Sequence, residues 1–208
     1  MYLPGQFKPA SDDLAFELMA SHPLASLYGS DEEGAPFVTH LPLHRAKDSN
    51  PTLLLGHVAK GNPHWRYLKA RPEALAVFMG PQAFMSTRVY PDLARVPTWN
   101  YLAVHCKVRA ELVEDEEGKD TILKALIADH DPPYAAQWQA LPQAFRSKML
   151  GGIVAFRLMV TELQCKLKLN QHRPEAHAAM RSLYAKGNEQ EQALALWMDR
   201  LGLNGRAP

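Results

Sequence analysis

Two cysteines in 208 residues, Cys106 and Cys165, leave this chain without a disulfide framework or a thiolate metal cluster. They form no paired-cysteine motif, as expected of a reduced, cytoplasmic protein. Charge of one sign is also missing. Twenty-three basic against 22 acidic residues leave a net charge of +1, which argues against broad phosphate contacts with nucleic acid and leaves room only for a local basic patch. No apolar run approaches the roughly 18 to 20 residues that span a bilayer, and Met1–Phe7 lacks a basic stretch followed by an apolar core. The expectation is a protein with no membrane segment and no signal peptide. Glycine-rich phosphate loops, a dinucleotide fingerprint and a Gly-x-Ser-x-Gly nucleophile motif are absent too. Nine histidines are present, but their spacing does not favour a metal. Pro42 between His40 and His44 forbids a helical pair, and His105 and Cys106 are adjacent in a strand and face opposite ways.

Apolar residues make up 47% and charged residues 22%, the balance of a core-forming globular chain. Turn residues divide it into short strands with helices between them. A capped helix follows Ser11-Asp12-Asp13, and residues 25–28 and 36–43 read as a hairpin around Asp31-Glu32-Glu33-Gly34. Further strands are expected at 53–58, at 74–79 (stopped by Gly80-Pro81), at 101–113, at 153–158 and at 163–168. Helices are expected at 63–70, at 121–130 and around Trp138. Two more follow Pro174, broken at Gly187-Asn188, with Leu194, Trp197, Met198 and Leu201 as an apolar stripe. Hairpin-joined strands favour an antiparallel sheet or barrel over a doubly wound fold.

The richest stretch is residues 53–65. Leu53-Leu54-Leu55 is an apolar run, Gly56 breaks it, and Asn62-Pro63 opens a helix, Asn as the cap and Pro in the first helical position. A helix start attracts anions, and Lys60 and His57 lie just upstream, so a phosphate-bearing ligand is a natural occupant. An ordinary strand–loop–helix joint with a surface lysine accounts for the same residues.

Several blocks together carry a resemblance: Met1-Tyr2-Leu3-Pro4, Thr39-His40-Leu41-Pro42-Leu43, the run from Gly56 to Trp65, the run from Phe78 to Ser86, Val96-Pro97-Thr98-Trp99-Asn100-Tyr101, and Lys168-Leu169-Asn170-Gln171-His172-Arg173. In this order they resemble the PaiB family of FMN-binding negative transcriptional regulators over roughly residues 1–203. That family is similar in fold to the pyridoxamine-phosphate-oxidase-like flavin split barrels. The resemblance implies a mainly β fold, a six-stranded antiparallel split barrel over residues 1–172, with a C-terminal helical extension over 173–208. It also implies a homodimer holding FMN at the subunit interface.

Carried over residue by residue, it places Thr39, His40 and Leu41 along the isoalloxazine. His57, Lys60 and Asn62 would face the phosphate and ribityl chain, with Trp65 nearby. Trp99 and Asn100 would reach the partner's flavin, and Lys168 and Gln171 would complete the polar contacts near the ring. Two departures stand out. Lys60 replaces a common arginine, keeping charge but losing bidentate phosphate geometry, and Asn170-Gln171-His172 replaces serine–glutamine–asparagine. The resemblance implies a flavin-dependent negative regulator, with DNA as a partner on that ground alone, since no helix-turn-helix is evident. An FMN-dependent oxidoreductase using a nicotinamide cofactor or a small oxidisable ligand is the alternative, and a haem-binding split barrel is a third.

Overall fold

The computed structural model describes residues 1–46, 49, 52–92 and 94–205. Its strands are β1 Leu24–Ser30, β2 Pro36–Pro42, β3 His44–Arg45, β4 Leu53–Ala59, β5 Glu73–Met85, β6 Thr98–Val113 and β7 Ile153–Lys168. They form one seven-stranded sheet in the order β2-β1-β5-β6-β7-β4-β3, and the sheet is not closed. This corrects the expected six-stranded barrel. The extra strand, β3, has only two residues, set opposite Leu55 and Leu54, and is too short for any period-2 pattern to reveal it. Leu43 alone joins β2 to β3, the two ends of the hydrogen-bonded order. The sheet ends are therefore covalent neighbours even though no ladder joins them.

Several strand ends also differ from expectation, each for a packing reason. Gly80-Pro81 does not stop β5, which runs on to Met85. A Cβ at Gly80 would sit 2.5 Å from Leu18 Cδ1 and 3.2 Å from Leu102 Cβ, so this glycine serves close approach rather than a turn. Pro81 lies beyond the three residue pairs that β5 makes with β1. Gly56 likewise sits inside β4 instead of breaking it. Residues 153–168 form a single strand, not two, because Met159-Val160-Thr161-Glu162 continue the extended backbone.

Seven α-helices lie among the described residues: α1 Asp13–Ser21, α2 His64–Ala70, α3 Glu116–His130, α4 Tyr134–Ala140, α5 Gln143–Gly151, α6 Pro174–Tyr184 and α7 Glu189–Arg200. None is long and apolar enough to cross a membrane. The α3 helix begins earlier than the expected residue 121 because Asp115 caps it, accepting from the Gly118 N–H at 2.6 Å. Glu116 and Glu117 then occupy its first turn, where negative charge is favourable. The α5 helix is not anticipated by the sequence pattern.

The chain makes two compact units. Unit 1 comprises residues 1–18, 79–104 and everything described from Gln164 onward. There α6 and α7 bury Met180, Tyr184, Leu194 and Met198, and a capping box joining Asn188 and Glu191 starts α7. Unit 2 comprises residues 19–78 and 105–163, with Leu27, Leu54, Phe78, Phe156 and Leu158 at its centre. On α3, Ile122 packs with Val113 and Ala155, and Ile127 packs with Trp138 and Leu150. The Trp138 indole donates to Asp120 Oδ1 at 2.7 Å.

A Cβ at Gly56 would lie 2.6 Å from Leu43 Cδ2 and 3.1 Å from Phe156 Cε2, inside the unit 2 core. Gly56→Ala is expected to cost about 1–3 kcal/mol in urea denaturation through overpacking. Gly61→Ala, whose Cβ meets nothing within 4 Å, is expected to stay within about 0.5 kcal/mol of the parent.

Candidate functional site

Residues 59–66 of unit 2 form a turn fixed from within. The described helix starts at His64, with Pro63 as its cap residue, one position later than the sequence suggests. Asn62 still works as a cap: its Oδ1 accepts from the His64 backbone N–H at 2.9 Å. Its Nδ2 donates to Thr39 Oγ1 at 3.2 Å, and the His64 Nδ1 pairs with the same hydroxyl at 2.8 Å. His64 is fully buried, set edge-on to Phe37 at 5.1 Å. Its Nε2 has no hydrogen-bond partner and sits where a Cβ on Gly29 would come within 2.7 Å. Trp65 closes the turn by donating from its indole N–H to the Lys60 carbonyl at 3.0 Å.

This wiring assigns different work to the expected residues. Thr39, Asn62 and Trp65 are brought together, but their polar atoms are spent on holding the turn. What the turn presents outward is Lys60, exposed, and Gly61, whose backbone is open to an approaching group. Arg66 adds a second exposed cation, its guanidinium 5.2 Å from the Trp65 ring centroid. With seven residues, α2 is too short to supply much field of its own, and the anion-attracting chemistry rests on these side chains and the open backbone. Two cations, an open glycine backbone and an aromatic ring are a donor set that fits the phosphate end of FMN. Sequence reading missed both Arg66 and His64. Arg66 follows the motif directly, but the role of His64 depends on Thr39 and Gly29, both distant in sequence.

The other expected residues of unit 2 point elsewhere. In β2, Thr39 and Leu41 share a face and Leu41 is buried, whereas His40 is exposed on the opposite face and pairs with Ser26 Oγ at 2.9 Å. His57 alternates with the buried Gly56 and Val58 and shares its strand face with Leu55, which packs on the Val113–Ile122–Ala155 cluster. Burial there pushes its pKa down, and the nearby His44 adds to the shift. The His44 Nδ1–H donates to Asp129 Oδ2 at 3.0 Å, and its ring meets that of His130 edge-on at 4.9 Å.

Trp99, Asn100, Lys168 and Gln171 belong to unit 1. Trp99 is half exposed, donates to Gln82 Oε1 at 3.0 Å and meets Phe84 edge-on. The next residue in β6 faces inward: Asn100 is fully buried and donates to the Tyr184 hydroxyl at 3.0 Å, while its Oδ1 has no partner. The Lys168 ammonium donates to Thr98 Oγ1 at 2.6 Å and to the Trp99 carbonyl at 2.7 Å, and lies 5.8 Å from the Tyr101 ring centroid. Burial, and then the Lys166 charge, lower its pKa. Gln171 is engaged locally, accepting from the Leu169 N–H at 2.9 Å and donating to the Leu167 carbonyl. Asn100 and Lys168 line one cleft of about 300 Å³, together with Tyr90, Arg95 and Arg173. Among the described residues no cluster of His, Cys, Asp and Glu suits a metal ion.

Comparison with known proteins bears on this geometry. A family model described as "Putative FMN-binding domain" matches residues 1–162. The protease synthase and sporulation protein PAI 2 of Bacillus subtilis (strain 168) is 34% identical over 178 residues, covering 84% of each chain. Among solved structures, the flavocytochrome Anf3 of Azotobacter vinelandii has a TM-score of 0.63 at 20% identity, over 79% of this chain and 70% of that one. The FAD- and haem-binding protein of Mycobacterium smegmatis also scores 0.63 at 20% identity, over 77% and 73%. Both structures are similar to this chain in fold.

His44, His57 and His64 all have pKa values lowered from 6.5, chiefly by burial. The unfolded chain therefore binds more protons than the folded one between the lowered values and 6.5, and stability rises with pH across that window. The expected outcome is full stability above pH 6.5 and a progressive loss below it. Urea midpoints measured from pH 7.5 down to pH 5 check this, and His64→Gln is expected to flatten the slope.

Proposed function

The chain belongs to the FMN-binding domain family, in its PaiB branch, with FMN as cofactor, and on that premise we propose that it is a flavin-dependent negative regulator of transcription. The observation that carries the FMN seat is the turn at residues 60–66: open at Gly61, flanked by Lys60 and Arg66, and held in place by Trp65 and Asn62. Lys60 and Arg66 bind the phosphate, while Thr39 and His64 keep the turn in register. FMN, when bound, supplies electron and hydride chemistry that no side chain here provides. The regulatory role draws support from the name of the Bacillus relative, which ties that protein to protease synthesis and sporulation.

The active form is a homodimer with FMN at the subunit interface. Support comes from the outer face of the β1–β2 ribbon. Leu24 and Pro42, Ser26 and His40, and Tyr28 and Val38 are cross-strand partners there, and Leu24, Tyr28 and Val38 are all exposed. A face with three exposed apolar side chains around one polar pair suits a partner protein surface. The C-terminal helices are poor candidates for reading DNA. Their apolar faces are buried in unit 1, and two of their cations are paired with acids, Arg181 with Asp199 and Arg200 with Glu17.

A second reading, an FMN-dependent oxidoreductase, is favoured by the substrate-sized cleft of unit 1. The spectrum, the mass and the FMN affinity test the shared premise, and DNA retention against cofactor oxidation separates the readings. The purified protein is expected to show a flavin absorption spectrum and the mass of a dimer in light scattering. A haem spectrum, or a colourless protein that quenches no added FMN, would remove the premise. Lys60→Ala is expected to weaken FMN binding about tenfold, or ~1.4 kcal/mol, with the urea midpoint unchanged. Salt-sensitive retention of promoter DNA by the FMN-loaded protein supports the regulator, whereas steady NADH or NADPH oxidation without DNA binding supports the enzyme.

A further inference from the structure

In unit 2 the two-residue strand β3 is fastened to the end of α3 by one side chain. His44 is buried, and its Nδ1–H donates at 3.0 Å to Oδ2 of Asp129 in the last turn of α3. That bond leaves the proton-free Nε2 inside the protein, where it has no hydrogen-bond partner. A second proton on this ring would be a buried, charged donor without an acceptor. The surroundings add like charge. His130, the next residue of α3, meets the ring edge-on at 4.9 Å. On the sheet side, His44 is set opposite Leu55 of β4, and Leu55 opposite Arg157 of β7, so Arg157 shares the face. His57, two residues beyond Leu55, shares it too. Among the described residues Asp129 is the one carboxylate bonded to the ring. Burial outweighs its pull, and the pKa of His44 is lowered.

The last turn of α3 does not move alone. Ile127, Trp138 and Leu150 pack α3, α4 and α5 into one cluster, with Ile153 partly buried against it. Past the end of α5, the Gly152 carbonyl accepts from the Lys60 backbone N–H at 2.8 Å. The three helices therefore form an arm tied to β3 through His44 and to the 60–66 turn through Gly152. Ile122, packed with Val113 and Ala155, anchors the first half of α3 and gives the arm its pivot. A displacement at His44 is carried to Lys60 through packed side chains, with no gap in the chain of contacts.

We propose that His44 is a proton-operated clasp: neutral, it holds the α3–α5 arm on β3, and protonated, it leaves its seat and loosens the turn at Lys60. The proton comes from water and is taken up on Nε2 once the ring is released. The seated ring has the lowered pKa, so the clasp is closed above pH 6.5 and opens progressively below it. A ring that takes its proton only when released raises the opening constant about tenfold between pH 7.5 and pH 5.5. Weaker FMN binding at mildly acid pH is the functional consequence, and that clause rests on the reading of the turn as the FMN seat.

Hydrogen exchange of the FMN-loaded full chain, read by mass spectrometry at pH 7.5 and pH 5.5 and corrected for the intrinsic rates, tests the clasp. Peptides over residues 123–133 and 143–152, and the one containing Lys60, are expected to lose about tenfold in protection, while α6 and α7 keep theirs. His44→Phe, which keeps a ring but cannot be protonated, is expected to lose the pH effect. Nitrogen-15 spectra of the unaltered chain need no variant: His44 is expected as the neutral Nδ1–H tautomer at pH 7.5. Protection that does not change with pH, a loss shared equally by α6 and α7, a pH effect that survives His44→Phe, or a charged His44 ring at pH 7.5 would overturn the proposal. Flavin fluorescence reports the cofactor in the same samples. The FMN dissociation constant is expected to rise several-fold more in the parent than in His44→Phe between the two pH values. Release of the arm without that difference counts against the FMN seat and leaves the clasp standing. A chain that takes up no FMN fails the cofactor assignment, and the exchange measurement then reads the clasp without it.

Discussion

The burial of one histidine against one glycine fixes the geometry of the turn at residues 60–66. His64 fits only because Gly29 has no side chain, since a Cβ there would stand 2.7 Å from the ring. Once seated, its Nδ1 holds the Thr39 hydroxyl, which also takes the Asn62 carboxamide, while Asn62 caps the backbone of His64 itself. Three side chains from two distant stretches of sequence thereby lock the start of α2 onto the β1–β2 hairpin. Low local dielectric strengthens each of these bonds and raises the cost of losing any one of them. The consequence is functional. With Asn62 and Trp65 occupied internally, the turn leaves Lys60, Gly61 and Arg66 facing outward.

Strand alternation sorts the rest of the motif residues. Consecutive residues of a strand face opposite sides, so Thr39-His40-Leu41 divides into a hydroxyl inside the turn network, an exposed imidazole and a core leucine. Trp99-Asn100 divides the same way, the indole outward and the carboxamide fully buried. A motif that reads as a block of binding residues is thus a mixture. Some members face outward, and their neighbours hold the backbone that presents them.

How much was legible varied with the range of the interaction. The hairpin, β4, the capped helix after Asn62 and the two C-terminal helices follow from local propensity, capping and periodicity. Gly56 and Gly80 misled because a glycine kept for close approach looks, in sequence, like one kept for a turn. The two-residue β3 carries no pattern at all, and α5 lacks a distinctive cap, since Pro142 provides no side-chain bond to its first turn. Of the candidate residues, Lys60 keeps an outward role that its type and position suggest. Asn62 and Gln171 are visible as polar residues next to motifs, but that their hydrogen-bonding capacity is spent within the chain is not.

The sequence alone determined the family, the cofactor and the absence of a long apolar membrane-crossing segment, because motif order, composition and run length are properties of the chain itself. It also determined, to within one residue, where the turn into α2 begins, through the local chemistry of Asn62-Pro63. Tertiary structure decided the seven-stranded open sheet, the wedge of His64 against Gly29, and the seating of His44 between β3 and the last turn of α3 with its Nε2 unpaired. Each of these depends on contacts between residues tens of positions apart, and on which polar groups burial leaves unsatisfied. Propensity and periodicity describe one segment at a time, whereas both of those quantities exist only once the segments have packed.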